Sequence, residues 1–182
     1  LYGGGGQGNH AGGAYATAFL RALGSRNVFN ALSQEKTGDF WVNGHMFGSQ
    51  TCHTTEDVHH CDLLFVIGAN PWVAHGFPNA RDHLNQIRKD PARKLIVVDP
   101  RRSETAELAD LHLAVRPGAD AFLLGAVLGT LVRSDAIDHD FIDGHTVGYA
   151  EVKQALLDIP VEVWAAAAEI PIADIERCVA MM

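Results

Sequence analysis

The chain has 182 residues, a length typical of one domain, and its 47% hydrophobic content is enough for a substantial core. Acidic residues outnumber basic ones by 22 to 14, and the formal charge of -8 argues against extended nucleic-acid binding, because phosphate contacts need a positive surface. No apolar run approaches the roughly 20 residues that span a bilayer. Cys52, Cys61 and Cys178 lack framework spacing, which favours reduced thiols and a cytoplasmic setting.

The first third of the chain predicts a glycine-rich loop and two helices. Residues 3–13 carry most of the early glycines, and apolar residues at helical spacing predict a helix over 14–23 that Gly24 ends. Glycines before a helix let backbone N–H groups approach an anion, but the Lys-Ser/Thr of a P-loop is missing. The stretch is therefore either a phosphate cradle or a tight strand-to-helix turn. A second helix is predicted over 38–46.

Two continuous apolar runs, and a third run that contains His112, predict the strands of a parallel sheet. Unbroken runs of Val, Ile and Leu are typical of strands covered on both faces. A helix over 76–89 and a helical turn over 105–109 separate the runs, so the order is β-α-β-α-β. We expect an α/β fold with three layers, a mainly parallel sheet of Rossmann-like topology and a helical C-terminal part. The predicted strands are 62–68, 94–98 and 111–115, and the later helices are 120–133, 141–142, 149–157, 161–168 and 172–182.

Polar and turn-forming residues follow each predicted strand. Ligands of open parallel sheets bind beyond the carboxyl ends of the strands, where these residues fall. An Asn amide both donates and accepts hydrogen bonds, a carboxylate accepts paired N–H or hydroxyl donors, and a nearby Arg can hold a phosphate. The alternative for Asp99 is that it only caps the turn towards Ser103. Because three such strand ends converge on one crevice, the pattern favours a nucleotide there, with Asn70, Asp99 and Arg101 as the candidate polar groups.

Thiols and imidazoles are concentrated between Cys52 and Cys61, which is a pattern compatible with a soft metal site. His59, His60 and Cys61 are consecutive, however, and cannot all face one centre. We therefore favour ordinary surface histidines beside a buried Cys61 over a structural zinc site.

Taken together, these motifs resemble the bis-molybdopterin-guanine-dinucleotide oxidoreductases, the family of formate dehydrogenases, nitrate reductases and dimethyl sulfoxide reductase. The resemblance extends over nearly the whole chain, and it depends on the order and spacing of short motifs at 6–10, 23–27, 68–71, 98–106 and 109–120. It implies that residues 1–182 are a single domain of a longer enzyme, one that holds the guanosine and pyrophosphate of one of two pterins. By this resemblance, the residues that would contact that cofactor are Gly68, Asn70, Pro71, Asp99, Arg101, Gly118 and Asp120.

The resemblance also implies the chemistry of the complete enzyme. A molybdenum centre would transfer two electrons or an oxo group to or from a small-molecule substrate, and formate, nitrate and sulfoxide enzymes all share this domain. A [4Fe–4S] cluster in a region before this segment would pass electrons to a partner protein or subunit. Because the chain contains neither the cluster cysteines nor the later domains, we expect it to be inactive alone.

Two positions are candidates for the catalytic metal ligand. The family supplies this ligand from a loop roughly thirty residues before the Gly-x-Asn-Pro turn, and that spacing selects Glu35. The pair Cys52-His53 matches the formate dehydrogenase pattern of a sulfur or selenium ligand followed by His, but it lies too close to the first strand. We favour Glu35 slightly, and Cys52 with His53 remains the alternative.

Two other functions fit the same pattern. The central domain of thiamine-diphosphate enzymes has a related sheet, can carry Gly-x-Asn-Pro-like turns and prefers adenine to guanine nucleotides. A stand-alone nucleotide sensor would need no further domains. Cysteines at iron–sulfur spacing upstream of this segment would exclude both.

Overall fold

A computed structural model describes residues 10–29, 31, 34, 36–52, 54–74 and 76–182, with side chains from residue 14 onwards. The chain forms two compact units, Leu1–Thr55 and Glu56–Met182. The glycine-rich stretch before His10, together with Glu35 and His53, lies outside the described residues. Membership of one domain over 1–182 stays a prediction.

The first unit contains two helices, α1 (His10–Ala22) and α2 (Thr37–Phe47), close to the predicted positions. Gly24 and Gly48 follow them with φ angles of 63° and 71°. This left-handed conformation suits glycine and ends each helix. None of the side chains that the structure describes in this unit is buried.

The second unit is built on a parallel sheet with strand order β1-β2-β3, which confirms the predicted α/β class. Leu64 pairs with Leu95, and Val97 pairs with His112. A 3-10 turn at Ala106–Leu108 links the last two strands. The strands are β1 (Leu63–Ile67), β2 (Lys94–Val98) and β3 (Leu111–Leu113), and the helices are α3 (Ala80–Lys89), α4 (Asp120–Arg133), α5 (His139–His145), α6 (Tyr149–Leu157), α7 (Val161–Ala168) and α8 (Ile172–Ala180).

Helix α3 and strand β3 are both shorter than predicted, each for a local reason. Helix α3 begins at Ala80 rather than at residue 76, because a residue before proline, here Phe77, is disfavoured in the helical region. Strand β3 ends at Leu113, where the N–H of Val115 bonds the Leu113 carbonyl at 2.9 Å and leaves the ladder. Val115 is nevertheless buried.

Alternate side chains of the central strand feed two separate cores. Ile96 and Val98 pack with side chains of α4, α7 and α8 on one side, which we call the α4 face. Leu95 and Val97 pack with Leu84 and Ile87 of α3 and with the 3-10 turn on the other side, which we call the α3 face. Because both faces are covered, the sheet forms the middle layer of this unit.

A candidate cofactor-binding edge of the sheet

Three loops leave the same edge of the sheet, because they follow the carboxyl ends of three adjacent parallel strands. We call residues 68–72 the first loop, 99–105 the second loop and 114–120 the third loop. The N–H of Gly68 bonds the Val98 carbonyl at 2.8 Å, and the N–H of Asp99 bonds the Leu113 carbonyl at 3.2 Å. The loops therefore begin side by side.

The first loop turns sharply after β1. Gly68 has a φ of 61°, which disfavours any side chain there although a Cβ would meet no atom within 4 Å. The Asn70 carbonyl accepts the N–H groups of Val73 and Ala74 at 3.1 and 2.9 Å, and Pro71 is buried. Backbone bonds thus close the turn and leave the Asn70 side chain available for contacts elsewhere.

The Asn70 side chain joins the first loop to the second. Its Oδ1 accepts hydrogen bonds from the hydroxyl and the N–H of Thr105, at 2.6 and 3.2 Å, and its Nδ2 donates to Glu104 Oε2 at 2.7 Å. The Thr105 hydroxyl also accepts the N–H of Trp72 at 3.1 Å. Two loops that lie 35 residues apart in the chain are therefore held by four hydrogen bonds.

Glu104 connects the Asn70 side chain to the guanidinium of Arg101. Its carboxylate lies 3.4 Å from the guanidinium of Arg101, which is largely exposed. The N–H of Glu104 itself, then the Asn70 amide and then Arg101 hold the pKa of Glu104 below its usual value of 4.5. The carboxylate therefore stays ionised beside Arg101 and restricts the positions that the guanidinium can take.

Asp99 caps its own turn, as the alternative to a ligand contact predicts, but with only one of its two carboxylate oxygens. Its Oδ1 accepts the N–H of Arg101 at 2.8 Å, two residues on rather than at Ser103, and its carbonyl accepts His112 Nε2 at 2.8 Å. The other carboxylate oxygen, Oδ2, has no hydrogen-bond partner among the residues described. Asp99 can thus cap its turn and still accept a ligand donor.

The third loop is held by helices rather than by the other loops. The Arg116 guanidinium donates to the Ala167 carbonyl from Nε and Nη2, at 3.2 and 2.9 Å, and lies 3.5 Å from Glu169. Gly118 has a φ of 79°, and Asp120 is the exposed first residue of α4. The first N–H groups of a helix have no acceptor within the helix, so this loop can donate to a ligand.

The candidate metal ligands are not brought together by the described part of the chain. Cys52 is a partly buried free thiol in the first unit, whereas Glu35 and His53 fall outside the description. No group of three or more His, Cys, Asp or Glu residues able to hold a metal occurs among the described residues. Whether Glu35 or Cys52 serves as the ligand stays a prediction.

The histidine-rich segment is largely as expected. His59 and His60 are exposed, and His60 Nδ1 lies 2.8 Å from Asp57, whose pKa this contact lowers. The expectation of a buried Cys61 is wrong in degree, because this thiol is only partly buried. Its sulfur lies 3.6 Å from the guanidinium of Arg93, a neighbour that the apolar pattern around it does not indicate.

The sequence does not single out Thr105, Glu104 or Trp72 as site residues. Thr105 is fully buried, and the sequence indicates it only through its place in a motif of the family resemblance. A cavity of about 360 Å³ also opens beside the first loop, where the Arg81 guanidinium lies 5.4 Å above the Trp72 ring and donates to the Trp72 carbonyl at 2.7 Å. No spacing in the sequence links these positions.

A parallel α/β unit with donors, acceptors and a cation along its carboxyl edge has the arrangement with which open sheets of this kind bind ligands. Comparison with known proteins is more specific. The family model for molybdopterin oxidoreductase matches residues 2–141, and the chain belongs to that family. Membership implies a molybdopterin cofactor and its molybdenum. The thiamine-diphosphate alternative is thereby excluded.

Three relatives illustrate the similarity. Nitrate reductase from Synechocystis sp. is 41% identical over 117 residues, 63% of this chain and 16% of that protein. F420-dependent formate dehydrogenase 1 subunit alpha from Methanococcus maripaludis is 36% identical over 62% of this chain and 16% of its own length. The solved structure of acetylene hydratase from Pelobacter acetylenicus matches with a TM-score of 0.72 and 26% identity, over 92% of this chain and 23% of that one.

The chain thus spans about a sixth of the length of these curated relatives. Among the helices that the structure describes, none combines the length and apolarity needed to cross a membrane.

Proposed function

We propose that this chain is the part of a molybdenum oxidoreductase, similar to formate dehydrogenase and to nitrate or sulfoxide reductases, that binds the guanosine and pyrophosphate of a molybdopterin guanine dinucleotide. The observation that carries the proposal is the shared edge from which the three loops leave the sheet. Family membership supplies the pterin, and the edge supplies groups suited to its nucleotide tail. The predicted Rossmann-like character of the domain is part of this proposal.

The charges along the edge suit different parts of such a tail. The exposed guanidinium of Arg101 matches a phosphate, which it can hold in bidentate fashion. Asp99 Oδ2 and the Asp120 carboxylate suit the N–H donors of a guanine edge or ribose hydroxyls, since a carboxylate repels phosphate. At Gly68 and at Gly118 a Cβ would meet no atom within 4 Å, so the space above the backbone is open at both positions. The donor and acceptor set therefore fits a guanosine diphosphate moiety.

In the complete enzyme the molybdenum and pterin would supply two-electron or oxo-transfer chemistry, while this chain would bind and orient the cofactor and exclude water. We infer two pterins per metal, a [4Fe–4S] cluster, a small-molecule substrate and an electron-accepting partner from the family alone. A cytoplasmic location is likewise part of the proposal, and the three free cysteines support it.

Replacement of Asp99 tests the proposal in the full-length protein. We expect Asp99→Ala to weaken binding of the guanine dinucleotide roughly 10- to 100-fold, because a charge-assisted hydrogen bond is lost, and to lower the bound pterin. The measurement is guanosine monophosphate and molybdenum released per polypeptide, by chromatography and mass spectrometry after acid hydrolysis.

Asp90→Ala is the matched control. Asp90 also precedes a proline and caps an N–H two residues on, that of Ala92 at 3.0 Å, but it lies before β2, at the opposite edge of the sheet. We expect this variant to keep its cofactor. Full pterin and metal occupancy in Asp99→Ala would show that Asp99 does not contact the cofactor. A wild-type protein without guanine nucleotide would refute the proposal as a whole.

A further inference from the structure

We propose that Asn70, Thr105 and Glu104 form a clasp that positions the first and second loops for the nucleotide tail, so that Asn70 acts by positioning rather than as the predicted direct contact. The inference rests on the proposed function, since it concerns the same edge. It assigns roles to Thr105 and Glu104 that sequence reasoning did not.

The hydrogen-bonding capacity of the Asn70 amide is mostly used within the protein. Its oxygen accepts two bonds from Thr105, which fills both lone pairs, and one of its two N–H groups donates to Glu104. A ligand acceptor could engage only the remaining N–H, and a ligand donor would have to displace Thr105. The side chain is therefore committed mainly to the second loop.

Thr105 can act on a ligand only through its neighbours, because its relative exposure is 0%. Its hydroxyl donates to Asn70 Oδ1 and accepts the N–H of Trp72, so one buried oxygen bonds both a side chain and the backbone of the first loop. A buried hydroxyl or amide without such partners is costly, which favours this one arrangement over alternatives. The conformation of the first loop thus depends on a residue of the second.

Glu104 extends the clasp to the binding groups. One oxygen, Oε2, accepts the Asn70 amide at 2.7 Å and lies 3.4 Å from Arg101 Nη2. The backbone N–H of Arg101 in turn donates to Asp99 Oδ1. The cation proposed for the phosphate and the carboxylate proposed for guanosine are therefore connected, through Glu104, to Asn70.

The test compares four variants of the full-length protein: Asn70→Ala, Thr105→Val, the double variant that combines them, and Thr105→Ser. The readouts are guanosine monophosphate released per polypeptide after acid hydrolysis and the unfolding temperature. Valine keeps the shape of threonine but removes the hydroxyl, whereas serine keeps the hydroxyl. We expect Thr105→Val to lower the nucleotide content as much as Asn70→Ala does, the double variant to fall no further, and Thr105→Ser to retain most of the nucleotide.

Ile175→Val is the control for stability, because Ile175 is fully buried on the α4 face and does not contact the clasp. We expect it to lower the unfolding temperature and keep the nucleotide. If it loses as much nucleotide as Thr105→Val, or if serine fails to restore binding, the effect is general destabilisation and the clasp is refuted.

The remaining outcomes separate the two proposals. Loss of nucleotide in Asn70→Ala with full content in Thr105→Val would make Asn70 a direct contact, which overturns the clasp and leaves the proposed function intact. Full nucleotide content in both single variants would also overturn the clasp alone. Absence of guanine nucleotide from the wild-type protein would overturn the proposed function and the positioning role with it.

Discussion

The two faces of the sheet differ in the kinds of side chain that are buried against them. Residues buried on the α4 face are apolar, such as Leu113, Leu123 and Ile175. The buried polar side chains of the described residues, His83, Ser103 and Thr105, lie instead on α3 or in the second loop, which leads into the 3-10 turn of the α3 face. One face thus depends on packed area, and the other also depends on hydrogen bonds.

This difference separates stability from specificity. Apolar packing on the α4 face is non-directional and contributes in proportion to the area removed from water. Hydrogen bonds on the α3 side fix particular atoms, and they reach the edge where the three loops begin. Buried polar atoms without a partner among the described residues occur on both sides, His83 Nδ1 on the α3 side and Trp164 Nε1 on the α4 face, so this cost does not distinguish the two. We infer that the α4 face supports the fold while the α3 side sets the geometry of the candidate site.

The largest expected contrast between the faces is in thiol reactivity. Cys178 is fully buried on the α4 face, and burial raises the pKa of its thiol, whereas Cys61 is partly buried. Because modification of Cys178 requires opening of the α4 face, we expect it to react with iodoacetamide roughly 1,000-fold more slowly than Cys61. Mass spectrometry of peptides from the labelled native protein measures both rates, and similar rates would mean that the α4 face opens locally.

A second contrast lies within the α4 face. A Cβ on Gly125 would lie 1.9 Å from the Trp164 ring, which packs directly on the helix. We expect Gly125→Ala to lower the free energy of unfolding by about 1–3 kcal/mol, because overpacking outweighs the roughly 1 kcal/mol that alanine gains over glycine in a helix. Denaturant unfolding of both proteins gives the difference.

Gly129→Ala is the matched control one helical turn further on. Its nearest neighbours would be the flexible end of Arg133 at 2.9 Å and a methyl group of Val161 at 3.3 Å. We expect a smaller loss than for Gly125→Ala, since the end of Arg133, although it donates to the Leu157 and Ile159 carbonyls, is displaced at lower cost than the packed Trp164 ring. Equal losses would show that helix α4 tolerates no added methyl group on this side, whatever the neighbour.

The sheet was predictable because its first two strands are almost continuously apolar and the third is interrupted only by His112. Strand β2 has the predicted bounds, since its residues from Leu95 to Val98 are buried on both faces of the sheet. Strand β3 is shorter than its apolar run because Val115 is buried outside the ladder. An apolar pattern reports burial, and only hydrogen bonds decide where a strand ends.

The candidate site was predictable at the strand ends and not beyond them. Asn70 and Asp99 follow strands, and a parallel sheet places such residues at one edge. The partner of Asn70 is Thr105, which lies 35 residues away and reaches it through the path of the second loop. Contacts of this kind have no period or local signature, so the sequence suggested a ligand contact for a residue that bonds mainly to protein.

The smallest expected effect concerns pH and the polar side of the comparison. Folding lowers the pKa of Glu104 below 4.5, so its stabilisation is fully present above pH 4.5 and is lost as pH falls through the lowered pKa. The difference in unfolding temperature between wild type and Glu104→Gln should therefore be constant from pH 7 to 4.5 and shrink below that. The difference should be small, because Glu104 is exposed and water screens its charge.

Glu107→Gln is the control for the loss of one charge. It removes a second exposed carboxylate, which pairs with Arg102 at 2.8 Å but does not bond the first loop. A difference that grows on acidification would mean that the Glu104 carboxylate destabilises the contact with Asn70.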